Sequence, residues 1–224
     1  ARIIMSWVAI VEETYRLYLG DCLDIMPTLE AQSVDLILAD LPYGVSELAW
    51  DKQLPIEVFF GEYRRLIKPD GVICLTATQP FAAKLIVGAI DLFKYDWIWE
   101  KDAPANRMQA HHRPLTNHEH VLIFSYASAT PNQFAKTKMK YFPQGLKTYR
   151  KHVNGFRKVI GATSTGRGHK SDYFQEYTNY PRSVLHFDIA RPRLHSTQKP
   201  LALMEYLILT YINPGDVVLD NTMG

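Results

Sequence analysis

The sequence predicts an α/β fold, a mostly parallel sheet flanked by helices. Three observations predict it. Ser33 to Ala39 is an almost unbroken apolar run, which suits a strand covered on both faces. Strand-like and helix-like segments alternate through residue 125, as crossover connections require. After a polar stretch over residues 126–182, the same rhythm returns to residue 224.

The elements follow in order. Arg16 to Leu19 is a short strand ending in Gly20-Asp21-Cys22. Ser33 to Ala39 is the buried strand, and it stops at Asp40-Leu41-Pro42-Tyr43-Gly44. Pro55 opens a helix to Ile67, with Phe59, Phe60, Tyr63 and Ile67 on one stripe. Lys68-Pro69-Asp70-Gly71 should stop it, and Val72 to Thr76 follows as a strand. Pro80 opens a second helix to about Leu92, and Tyr95–Trp99 and His120–Phe124 read as strands. Beyond the polar stretch come a segment at Ser183–Phe187 and a helix from Pro200 to about Ile212. Leu201, Met204, Leu207, Ile208 and Tyr211 of that helix should face the core. Val217 to Leu219 is a last strand, followed by Asp220-Asn221-Thr222-Met223-Gly224. The expected organisation is therefore 1–125, a basic insert 126–182, and 183–224.

Composition narrows the function. The 224 residues are 47% hydrophobic and 21% charged, which supports a packed core and excludes a disordered chain. Only Cys22 and Cys74 occur, so a disulfide scaffold is excluded and a reducing compartment is expected. No apolar run reaches membrane-spanning length and no signal peptide is visible, so no membrane partner and a cytoplasmic, nucleoid-associated location are expected.

Net charge is +2, but residues 131–200 hold 14 Lys and Arg against 3 Asp and Glu. Phe134, Tyr141, Phe142, Tyr149, Phe156, Tyr173, Phe174, Tyr177 and Tyr180 are interleaved with them. Cations between flat rings suit a phosphate backbone and stacked bases. Lys136, Lys138, Lys140, Lys147, Arg150, Lys151, Arg157, Lys158, Arg167 and Lys170 are the candidate nucleic-acid contacts. His118-Glu119-His120 and His111-His112 are not read as a metal site, because no Cys or carboxylate cluster completes one.

Ligands of open α/β sheets collect at the carboxyl ends of strands. Asp21, Asp40 and Asp220 with Gly224 stand at three such ends. At the Asp40 loop a carboxylate can accept from an amino group, Pro42 stiffens the turn, and Tyr43 offers a flat ring. That set fits the exocyclic amine of a nucleobase.

Asp40-Leu41-Pro42-Tyr43 resembles the Asp-Pro-Pro-Tyr motif of amino-group DNA methyltransferases. His195-Ser196-Thr197-Gln198-Lys199-Pro200 resembles their His-Pro-Thr-Gln-Lys-Pro segment. Val218-Leu219-Asp220-Asn221-Thr222-Met223-Gly224 resembles the start of their cofactor loop. The motif order resembles the circularly permuted beta class. The resemblance covers residues 15–125 and 183–224 and implies a Rossmann-like, circularly permuted methyltransferase sheet with an inserted target-recognition region. It implies methyl transfer from S-adenosylmethionine to adenine N6 of double-stranded DNA, with the base flipped out.

By that resemblance Asp40 and the Leu41 carbonyl accept the amine, Pro42 holds the turn and Tyr43 stacks on the base. Asp21, Cys22, Asp40, Thr197, Lys199, Asp220 and Gly224 would line the cofactor. Leu41 replaces the first Pro, Ser196 stands where Pro is common, and Asn221-Thr222 replace Pro-Phe, which could weaken packing against the cofactor. The 224 residues end inside the cofactor loop, and further sequence is expected beyond it. Cytosine-N4 transfer, an RNA substrate and a catalytically silent DNA-binding partner of the same fold stay open. The resemblance also leaves room for a homodimer and a cognate restriction endonuclease.

Overall fold

The computed structural model describes residues 8–11, 15–43, 55–130, 136–157, 169–192, 194–195 and 197–223. The chain divides into two compact units, residues 1–142 with 183–224, and residues 143–182.

In the larger unit, β1 (Val8–Val11) and β2 (Arg16–Leu19) form an antiparallel pair. Asp21 caps α1 (Cys22–Ile25) by accepting the Leu23 N–H at 2.9 Å. The main elements then follow: β3 (Val34–Ala39), α2 (Ile56–Leu66), β4 (Ile67–Ala77), α3 (Phe81–Gly88), β5 (Phe93–Ala105) and β6 (Thr116–Phe124). The smaller unit holds β7 (Lys147–Arg157) and β8 (His169–Thr178), paired antiparallel. The larger unit closes with β9 (Val184–His186), α4 (Leu201–Tyr211) and β10 (Val218–Leu219).

Six of these strands form one sheet in the order β10-β3-β4-β6-β5-β9. β6 runs antiparallel to both its neighbours, and the other pairings are parallel. The expected mostly parallel α/β sheet is therefore present.

Alternation along each strand divides the core in two. Ile37, Ala39, Ile73, Leu75, Leu122 and Phe124 pack with Phe59, Phe60 and Tyr63 of α2 and Phe81 and Leu85 of α3. Leu36, Leu38, Val72, Cys74, Trp97, Trp99 and Val121 pack on the other face with Leu203, Leu207 and Tyr211 of α4. The parallel strands β10, β3 and β4 bring their carboxyl ends to one edge. There the reversed β6 presents its beginning, with His120 opposite Ala77.

Several elements differ from the sequence reading. α2 ends at Leu66, just ahead of Lys68–Gly71 as expected, but those four residues lie inside β4, where the pairing with β3 is irregular between Val34 and Leu36. A Cβ on Gly71 would sit 2.8 Å from the Asp35 carbonyl oxygen, so the close approach of the strands favours glycine there. β5 is thirteen residues long and β6 nine, both longer than expected. α3 ends at Gly88, where Ala89 turns its N–H back to the Ile86 carbonyl. In α4, Leu201 is exposed while Leu203 and Thr210 are buried.

Residues 136–142, part of the sequence-defined insert, pack in the larger unit. Met139 is buried in its core and Phe142 donates its N–H to the Thr210 carbonyl at 2.7 Å. Among the described residues no helix is long and apolar enough to cross a membrane.

Candidate active site

Asp40 directly follows the buried β3, so a rigid strand aims it. Its Oδ1 accepts from the Tyr43 hydroxyl at 2.8 Å and from the Thr76 hydroxyl near the end of β4. Its Oδ2 accepts from Lys199 Nζ at 2.7 Å. Its own N–H donates to Thr222 Oγ1 at 3.0 Å, and Thr222 in turn donates its N–H to Asp220 Oδ1 at 2.8 Å. The two later motif segments, each more than 150 residues beyond Asp40 in sequence, thus meet at that residue.

Pro200 explains the placement of Lys199. It stands just before α4 with extended backbone, which fixes the residue ahead of the helix. The Lys199 ammonium also lies 3.3 Å from Glu119 Oε2 and 5.5 Å from the centre of the Tyr43 ring. Glu119 comes from the start of β6, and its Oε1 pairs with Lys101 of β5. Burial raises the Glu119 pKa, but the nearby Lys199 and Lys101 charges outweigh it and hold the carboxyl below its ordinary value. Burial, then the Asp40 and Glu119 charges, push the Tyr43 hydroxyl well above the ordinary tyrosine range, so it stays a neutral donor.

Leu41 is buried and Pro42 half-buried. The half-buried Tyr43 ring packs on Phe81 with centroids 5.6 Å apart. Stacking on a base would therefore use only the part of the ring left exposed.

The departures at Asn221 and Thr222 carry bonds of their own. Tyr63 donates to Asn221 Oδ1 at 2.8 Å, Asn221 Nδ2 reaches Cys22 Sγ at 3.8 Å, and Thr222 holds Asp40. Burial pushes the Cys22 thiol pKa up, so it is a packing thiol more than a nucleophile. The Asn221 contact joins the Cys22 segment to the Asp220 loop. Thr197 instead turns on His195, with 2.9 Å between Thr197 Oγ1 and His195 Nδ1, and no described contact joins it to the Asp40 cluster. Gly224 lies outside the described residues.

The candidate nucleic-acid contacts divide. Lys136 and Lys138 are exposed in the larger unit, and Lys147, Arg150 and Lys151 are exposed in the smaller. Arg157 and Lys170 lie on the β7–β8 ribbon, and Lys158 and Arg167 fall outside the described residues. Lys140 is corrected. Its ammonium pairs with Asp35 and Asp216 at 2.7 and 2.9 Å, so its charge serves an internal ion pair rather than a phosphate.

Sequence reasoning missed Thr76, Lys101, Glu119 and Thr222. Glu119 was legible in part. Adjacent residues of a strand point to opposite faces, so it could not share a site with both His118 and His120. Among the described residues no three His, Cys, Asp or Glu are placed to hold a metal. A groove of about 430 Å³ lined by Ile56, Glu57, Ala83, Lys84, Val87 and Gly88 contains none of the cluster residues. The convergence of charged groups at the strand ends, not concavity, locates the site.

Known proteins are similar over most of the chain. The DNA adenine methyltransferase YhdJ of Escherichia coli (strain K12) is 26% identical over 228 residues, covering 92% of this chain and 70% of that protein. The type II methyltransferase M.HpaI of Haemophilus parainfluenzae is 24% identical over 222 residues, covering 93% of this chain and 63% of its own length. The solved structure of the cytosine-N4-specific PvuII DNA methyltransferase superposes with a TM-score of 0.58 at 15% identity, over 91% of this chain and 72% of that one, a likeness of fold. The DNA methylase family model for N6 and N4 amino-methyltransferases matches residues 34–224. The chain therefore belongs to the N6/N4 DNA methylase family.

Proposed function

We propose that the protein methylates adenine N6 in a specific duplex DNA sequence, using S-adenosylmethionine as donor. The observation that carries this reading is the convergence on Asp40 of Lys199 and Thr222 from the two other motif segments. An amine conjugated to a purine ring is a weak nucleophile. A carboxylate that accepts its N–H localises the lone pair, and a rigid strand end aims it. The Asp40 and Leu41 carbonyl acceptors, the Pro42 turn and the exposed part of the Tyr43 ring would hold the flipped base.

The donor set fits S-adenosylmethionine. Carboxylates suit a sulfonium cation, an ammonium and ribose hydroxyls, and a lysine suits the methionine carboxylate. Asp21, Cys22, Lys199 and Asp220 would hold it. Bound there, the cofactor supplies an electrophilic methyl group. The proton displaced from the amine leaves to Asp40 or to water. Asp at position 40 and the resemblance to YhdJ support adenine over cytosine. The motif order, Asp40 before the Asp220 loop with the basic ribbon between, supports the permuted beta class.

The test is incubation of the full-length protein with unmethylated bacteriophage DNA and S-adenosylmethionine, then mass spectrometry of the nucleosides. N6-methyl-2′-deoxyadenosine is expected, and Asp40→Ala should abolish it while DNA affinity stays within about twofold. N4-methylcytosine would replace adenine by cytosine, and no methylated nucleoside would end the reading.

A further inference from the structure

Oδ1 of Asp40 already takes two hydroxyl donors, from Tyr43 and Thr76. Oδ2 takes one donor among the described contacts, the Lys199 ammonium, and so is the less occupied oxygen for an incoming amine. The amine and the ammonium therefore compete for one acceptor. A second carboxylate stands ready to take the ammonium. Glu119 Oε2 is 3.3 Å from Lys199 Nζ, and both side chains are one-tenth exposed, so their attraction is weakly screened.

Glu119 does not need Lys199 for neutralisation alone, since Lys101 already pairs with its other oxygen. Among the described residues the ion pairs of the cluster join two carboxylates, Asp40 and Glu119, and two ammonium groups, Lys101 and Lys199. Moving Lys199 between Asp40 and Glu119 leaves its net charge unchanged, so neither position strands an unpaired buried charge.

We propose that Glu119 is a positioning residue that draws the Lys199 ammonium off Asp40 Oδ2 and frees that oxygen for the target amine. The inference rests on the methyl-transfer reading above. Glu119 itself touches no reacting atom. It acts through Lys199, whose flexible stem allows the short shift.

Two substitutions in the full-length protein test it because they act in opposite directions. Glu119→Gln leaves Asp40 as the sole carboxylate on Lys199. Single-turnover transfer of tritiated methyl from S-adenosylmethionine to unmethylated bacteriophage DNA should slow at least about tenfold, with the DNA Kd within about twofold. Lys101→Met leaves Glu119 with Lys199 alone and strengthens its pull, at the cost of a buried ammonium. Transfer should slow clearly less than in Glu119→Gln, because Glu119 still draws Lys199. A purely structural Glu119–Lys101 pair would make both variants slow equally. A loss below about tenfold in Glu119→Gln, or a loss in Lys101→Met as large as that in Glu119→Gln, overturns the proposal. If Glu119→Gln does not fold, a loss of about tenfold or more in Lys101→Met overturns it. A parent protein that transfers no methyl refutes the methyl-transfer reading instead, so the two failures are distinguishable.

Discussion

One carboxylate lies near the start of β3 and another just past its end, and each sits among two lysines and a second acid. Near the start, Asp35 is 1% exposed. It takes Lys68 and Lys140 at 2.7 Å each and the Val217 N–H at 3.0 Å. Lys140 reaches on to Asp216. At the far end, Asp40 takes Lys199 and two hydroxyls, and Lys199 reaches on to Glu119. The charges are the same, but the surroundings differ. The Asp35 side chain is 1% exposed and is locked to the backbone of the segment leading into β10, so it joins strands. The Asp40 side chain is 29% exposed and, among the described residues, is held by side chains alone. A carboxylate that must exchange partners cannot be tied as Asp35 is tied.

That contrast can be broken from the structural end first. Asp35→Ala strands two lysines and an N–H, and breaking a buried pair typically costs about 3–5 kcal/mol. Tm should fall by roughly 10 °C in a thermal melt. Lys140→Met leaves Asp35 with Lys68 and should cost a smaller amount, about 1–3 kcal/mol, read as a lower urea midpoint.

Acid sharpens the same point. Burial raises the Asp35 pKa, but hydrogen bonds from Lys140 and Lys68 outweigh it and hold the carboxyl below its ordinary value. A carboxyl lowered by folding contributes stability above its unfolded pKa of about 4, and that stability is lost as pH falls through the folded value. Urea midpoints measured from pH 7 to pH 3 should fall at the acid end, and less steeply in Asp35→Asn. The smallest effect on stability belongs to Lys136 and Lys138. Replacing both with Ala should change stability by less than about 0.5 kcal/mol. If they meet phosphates, the salt slope of DNA binding should drop by about 1–2.

Both ends of β3 show how far sequence carries. The apolar run and the acid at its tip were legible because a strand buried on both faces leaves few other readings. Asp35, inside the same run, gave no sign of its partners, since Lys68, Lys140 and Asp216 come from distant segments. Lys140 sits in a basic stretch and looked like its neighbours, and only the fold separates it from Lys138. On α4 the expected Leu207 and Tyr211 are buried and Met204 and Ile208 pack against the core, while Leu201 is exposed and Leu203 is buried in its place, because so apolar a helix leaves hardly a polar side to set the phase. Contacts of Tyr211 with Trp97 at 2.6 Å and Tyr95 at 3.0 Å set it instead. Glu119 was visible only as part of a histidine string, and its pairing with Lys199 needed the reversed β6.

The most direct measurement compares Asp40→Asn with Asp35→Asn, reading methyl transfer to DNA and Tm on each. The account predicts that Asp40→Asn loses transfer by at least about a hundredfold with its Tm little changed. Asp35→Asn should lower Tm while retaining transfer below its melting range. An active Asp40→Asn protein, or equal losses of both properties in the two variants, would contradict it.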